Sequence, residues 1–128
     1  MTRFTFTFVF LFSSLALAKS LPLNNTKWVN EDKSHMILQE DEKGRLTGIY
    51  STFVGCDAEK PLPIIGQHRG RIVTFEVNFP DCNSTAAWNG IVSDDGKTIK
   101  AMWLLVIDKG DPQQWDETLT SQDIFIKQ

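Results

Sequence analysis

From residue 27 onwards, polar and apolar side chains alternate in short runs, and turn residues interrupt them about every 8–15 positions. Period-two alternation belongs to strands, whose successive side chains face opposite sides. No stretch sustains the 3.6-residue stripe of an amphipathic helix. Eight runs rich in Val, Ile, Thr, Phe and Trp are read as strands: 27–30, 34–40, 45–52, 62–68, 72–79, 86–93, 98–108 and 118–127. The links EDK, DEKG, GCDAEKP, RGR, PDCNST, DDGK and KGDPQQ carry the Gly, Pro and Asp that tight turns require. Short links between consecutive strands predict an all-β fold, an eight-stranded antiparallel up-and-down β-barrel.

The alternation also assigns sides. Leu46, Gly48, Tyr50 and Thr52 share one face, and Phe75, Val77 and Phe79 share another, opposite Glu76 and Asn78. An eight-stranded barrel is just wide enough to be filled by its own side chains or to hold one small ligand. A face carrying Gly48, Tyr50 and Thr52 is less apolar than a filled interior requires, which points to a ligand.

The first 18 residues read differently. Arg3 supplies a positive start, residues 8–17 are largely apolar, and Ala16-Leu17-Ala18 has the small-x-small pattern of a signal-peptidase site. The run is too short and wrongly flanked for a membrane span. The expectation is a secretory signal over 1–18, a single β-barrel domain over 19–128 and a secreted or periplasmic protein. About 110 mature residues suffice for one core, and residues 19–25 are expected to form a loose arm. The formal charge is −3 and becomes one unit more negative when Arg3 is removed, which favours neither nucleic acid nor an anionic membrane as partner. The two cysteines, Cys56 and Cys82, can form one bridge or stay as buried thiols; their turn contexts in an oxidising compartment favour the bridge. Asn24 and Asn83 head N-x-T sequons, acceptors for glycosylation in a eukaryotic source.

Catalytic signatures are scarce. His35 and His68 have no metal-type spacing, no G-x-S-x-G elbow or phosphate loop occurs, and the acidic pairs lie in turns. No nucleophile has a base beside it, so the chain is read as a non-enzyme without metal or cofactor. The four tryptophans say more. Core packing accounts for Trp28, while Trp88 is an even case between core and site. Trp103 lies on a long strand, and Trp115 follows the loop GDPQQ, where a large indole closes a pocket or meets a partner chain.

Taken in order, KWVNEDKSHM, LTGIYSTFVG, PLPIIGQHRG, TFEVNF, TAAWNG, MWLLVI and QQWDETLTSQDIF resemble the avidin and streptavidin family across essentially the whole mature chain. The resemblance implies the up-and-down barrel and biotin as ligand. By motif position it makes Asn30, Ser34 and Tyr50 donors to the ureido oxygen, with Thr52 and Asp123 accepting from the ureido nitrogens at the closed end of the barrel. Phe79, Trp88, Trp103 and Leu105 form an apolar sleeve. Val54 and Gly55, with Cys56, belong to the loop over the valeryl tail, and Ser84 sits near the carboxylate. Trp115 matches the tryptophan that crosses into a neighbouring subunit, implying a homotetramer, with a homodimer as runner-up.

The GC…P-x-P…CNS-A pattern resembles rhizavidin-like members, whose disulfide joins the same two loops. Three positions depart from the better-known members: Phe79 replaces a tryptophan, Ala86 a hydroxyl residue, and Asp32 a leucine. Two other readings of the barrel stand beside this one. They are a lipocalin-like carrier of another amphiphile and a secreted inhibitor or interaction protein using the barrel as scaffold. A lipid carrier has little use for the polar set, and an inhibitor calls for a longer exposed loop than any here.

Overall fold

The computed structural model describes residues 21–111 and 117–128. Eight strands follow one another: β1 Thr26–Val29, β2 His35–Glu40, β3 Arg45–Ser51, β4 Leu62–Arg69, β5 Ile72–Phe79, β6 Ser84–Val92, β7 Thr98–Ile107 and β8 Thr118–Lys127. Each pairs antiparallel with its sequence neighbour, and β1 meets β8 to close the barrel. This is the eight-stranded antiparallel up-and-down barrel that the alternation predicts.

Boundaries agree to within a residue or two. The clearest difference is β6, which begins at Ser84 rather than at 86. Ser84 and Thr85 continue the ladder opposite Phe79 and Asn78, and the Thr85 hydroxyl donates to Asn78 Oδ1 at 2.8 Å. The turn is correspondingly tight. A 3-10 turn over Pro80–Cys82 is ended by Asn83 in the left-handed region at φ 49°, a conformation asparagine tolerates better than most residues.

Inward-facing positions supply the core. Met36 and Leu38, Leu46, Ile64, Val73 and Val77, and Ile99 are buried from successive strands, with Trp28 and Phe125 the largest side chains fully enclosed. Gly48 makes one close approach possible: a Cβ there would lie 1.9 Å from the Ile37 carbonyl oxygen, so β2 and β3 could not keep this spacing with any other residue.

The end away from the β1–β2, β3–β4, β5–β6 and β7–β8 links is stoppered. Leu23 is 1% exposed, so the expectation of a loose arm fails at Leu23 and Asn24, while Leu21 remains 50% exposed. The reason is hydrogen bonding as well as burial. The Leu23 amide donates to Glu40 Oε2 at 2.7 Å, and the Glu40 amide donates to Asn24 Oδ1 at 3.1 Å. The Thr26 hydroxyl donates to the Leu23 carbonyl and accepts Trp28 Nε1 at 2.8 Å. The second Glu40 oxygen pairs with Nδ1 of buried His68 at 2.7 Å. His68 therefore serves the plug, and His35 lies on the surface with its ring edge-on to Phe53.

Candidate functional site

At the opposite end a cavity of about 250 Å³ enters the barrel. Alternation on β5, β6 and β7 turns Phe79, Ala86 and Trp88, and Trp103 and Leu105 into it as an apolar wall. Trp88 is held rigidly. It stacks on Phe75 with ring centres 4.9 Å apart and planes 11° apart, and Phe75 in turn meets Phe125 edge-on at 6.1 Å. Tyr50 lies 5.3 Å from Trp88 and edge-on to Phe79 at 6.1 Å.

The inner end is polar and buried. Asn30, Ser34, Tyr50, Thr52 and Asp123 all line it, none more than 7% exposed. The turn between β1 and β2 orients the first of these. Asn30 Oδ1 accepts from the Ser34 amide at 2.8 Å and the Asp32 amide at 3.0 Å. With its oxygen engaged, the Asn30 amide nitrogen is the group left to donate. Ser34 Oγ lies 3.3 Å from Thr52 Oγ1, which also accepts from the Val54 amide at 3.3 Å. Asp123 Oδ2 accepts Trp88 Nε1 at 2.8 Å, and the Asn30 side-chain amide also favours the ionised carboxylate.

Charge follows from burial. Desolvation pushes the Tyr50 hydroxyl up to about 12, against the influence of the neighbouring Ser34 hydroxyl, which works the other way, so Tyr50 is a donor at neutral pH. Desolvation also pushes the Asp123 carboxyl above the usual carboxylate range. The Trp88 N–H opposes that shift, and the charge of Glu31 adds to it. A carboxylate with a raised folded-state pKa favours the folded state most at acid pH and loses that advantage as pH rises through its titration. Asp123→Asn, which keeps an acceptor for Trp88, is therefore expected to raise the melting temperature of the empty barrel at pH 7. The gain should vanish once Asp123 is protonated, and calorimetry across the acid range checks it.

The rim is built from two loops. The Cys56–Cys82 disulfide, with Cα atoms 5.4 Å apart, ties the β3–β4 loop to the 3-10 turn, and both cysteines face the cavity. Behind it, fully buried Asp57 accepts the Asp81 amide through Oδ2 at 3.1 Å, while Lys60 pairs with both Asp57 and Asp81. Opening the bridge, which closes 26 residues, is expected to cost about 3–4 kcal/mol by loop entropy. Denaturant melts with and without reductant measure it.

Each predicted ligand-lining residue among those described falls on this one cavity. Val54 and Gly55 stand at its mouth, Val54 65% exposed, and Ser84 is half-buried on the opposite lip. Trp115 lies outside the described residues. Asp32 borders the cavity but is exposed, its backbone amide tied to Asn30 Oδ1. Phe75 was not foreseen as the support beneath Trp88; its alternation with Val77 was the available signal. Among the described residues, no group of three His, Cys, Asp or Glu could hold a metal ion.

Comparison with known proteins agrees with this fold. The family model described as the avidin family matches residues 20–128. Afifavidin from Afifella pfennigii is 30% identical over 125 residues, covering 88% of this chain and 78% of its own length. Among solved structures, the rhizavidin–biotin complex superposes with a TM-score of 0.73 at 28% identity, over 86% of this chain and 97% of that one. Apo shwanavidin gives 0.70 at 28% identity, over 87% and 99%.

Proposed function

The chain belongs to the avidin family, and on that premise we propose that it binds biotin non-covalently in the barrel cavity and sequesters it outside the cell. The observation that carries the reading is the donor and acceptor pattern of the buried end. The Asn30 amide, the Ser34 hydroxyl and the protonated Tyr50 hydroxyl can converge on one carbonyl oxygen. Thr52 and Asp123 can accept from N–H groups on either side of it. A cyclic urea presents that arrangement: one oxygen wanting donors and two flanking nitrogens wanting acceptors. Ser34 Oγ donates to Thr52 Oγ1 at 3.3 Å. When a carbonyl takes the Ser34 proton, Thr52 is released to accept a ligand N–H, so the two exchanges are coupled.

Phe79, Trp88, Trp103 and Leu105 give the fused rings an apolar sleeve, while Val54, Gly55 and Ser84 border the tail at the disulfide rim. Phe79 and Ala86 offer less contact than tryptophan and a hydroxyl residue, which lowers affinity more than it alters ligand identity. A lipid carrier would leave the remaining donors and acceptors of five buried polar side chains facing an apolar ligand, at a desolvation cost. Rhizavidin, similar to this chain over most of its length, is described in complex with biotin.

Binding proceeds without catalysis or cofactor. The leader-like 1–18 segment and the oxidised cysteine pair support secretion. Met102, Leu104 and Val106 line the outside of β7, each nearly half exposed, with Gln122, Thr120 and Thr118 beside them on β8. That apolar stripe supports a homo-oligomer, a tetramer before a dimer. The function is tested by retention on biotin-agarose and elution with free biotin. No retention, together with no thermal shift on adding biotin, would sink the reading.

A further inference from the structure

The barrel seam is short. β1 and β8 pair through Trp28 with Lys127 and Val29 with Ile126, the Gln128 amide also donates to the Lys27 carbonyl at 2.9 Å, and past Val29 β1 turns away into residues 30–34. On this side, the next part of β8, carrying Ile124 and Asp123, has lost its strand partner. The Glu31 carboxylate occupies that place: the Ile124 amide donates to Glu31 Oε1 at 2.9 Å and Oε2 at 3.1 Å. On the other flank β7 holds β8 through the pairs Lys100 with Ile124 and Ala101 with Asp123. Asp123, one residue before the clamped amide, is the cavity's charged acceptor.

We propose that Glu31 is a positioning residue for Asp123, standing in for the missing strand neighbour and holding the β8 backbone that aims the Asp123 carboxylate into the cavity. The same side chain brings a negative charge. The titratable and charged groups around Asp123 are Glu31 and Asp32 on the β1–β2 turn and Tyr50 on β3; the Trp88 N–H and the Asn30 amide stabilise its ionised form. Lys100, beside Ile124 on β7, is exposed on the outer face. Glu31 therefore both fixes the acceptor and disfavours its ionisation, after burial itself. The consequence for binding rests on the biotin reading, whereas the placement of Asp123 does not.

Glu31→Gln keeps an oxygen for the Ile124 amide and removes the charge; Glu31→Ala removes both. In the empty protein, NMR should show faster Ile124 amide exchange in Glu31→Ala than in wild type or Glu31→Gln. The Asp123 carboxyl resonance should titrate at lower pH in Glu31→Gln than in wild type. With biotin, Glu31→Ala should weaken binding about tenfold at pH 7, the loss of one charge-assisted hydrogen bond. Glu31→Gln should bind close to wild type at pH 7 and retain binding further into the acid range. Unchanged Ile124 exchange in Glu31→Ala, or an Asp123 titration indifferent to Glu31→Gln, overturns the proposal. Failure of wild-type protein to bind biotin overturns the functional reading alone, because both NMR results are read without ligand.

Discussion

Asp123→Ala is expected to weaken biotin binding by about 100-fold, close to 3 kcal/mol. Two losses combine. A buried charged acceptor disappears from one ureido nitrogen, and a charge-assisted bond of this kind is worth about 1.5–3 kcal/mol. Trp88 Nε1, which donates to Asp123 at 2.8 Å, is left without that partner in a buried wall, a further cost of about 1–3 kcal/mol that falls mainly on the fold. Ser84→Ala should cost far less, because Ser84 sits half-buried on the lip, where water replaces its contact. Competition titration of both variants against a labelled biotin gives the comparison. Equal losses would mean that the ureido group does not lie at the Asp123 end.

Trp88→Ala should have the largest effect on stability, about 3–5 kcal/mol, as expected for a buried tryptophan truncated to alanine. The side chain is 4% exposed, stacked on Phe75 and in contact with the Tyr50 ring, so its neighbours cannot close the space without breaking their own packing. For a domain of this size the melting temperature should fall by more than about 10 °C. Trp88→Phe separates packing from chemistry. It keeps a ring on Phe75 and recovers much of the stability, but it offers Asp123 no N–H. Its acid limb of biotin binding should therefore move to higher pH, because the interaction that favours ionised Asp123 is gone. Denaturant melts and a pH series on the same protein distinguish the two contributions. A Trp88→Phe variant with unaltered pH dependence would show that the indole acts as a wall alone.

Much of the barrel was legible because turn chemistry and alternation agree along the chain. The links with Asp-Glu-Lys-Gly and Asp-Asp-Gly-Lys sit where β2 gives way to β3 and β6 to β7, and both glycines adopt positive φ. Ser84 and Thr85 misled because small hydroxylated residues after a cysteine resemble turn continuation; only the ladder to Asn78 and Phe79 makes them strand. Leu23 misled for the opposite reason. Leu21 and Leu23 around a proline make too short a run to carry a period, and the role of Leu23 as plug depends on Glu40, 17 residues away.

The site was legible largely through resemblance. The motif order names Asn30, Tyr50 and Asp123, but it does not say which atom of Asn30 faces the cavity. That follows from two backbone amides captured by its oxygen. Glu31 carried no signal at all, since a glutamate in a turn is usually solvated charge. Its function depends on how early β1 leaves the seam, and Ile124 lies 93 residues further along the chain.

The central claim is that this cavity takes biotin, and isothermal titration of the disulfide-intact protein tests it most directly. Saturable, exothermic binding at one biotin per chain, strongly weakened by Asp123→Ala, is the predicted result. A protein that melts cooperatively yet releases no heat with biotin and does not compete for a labelled biotin would contradict it.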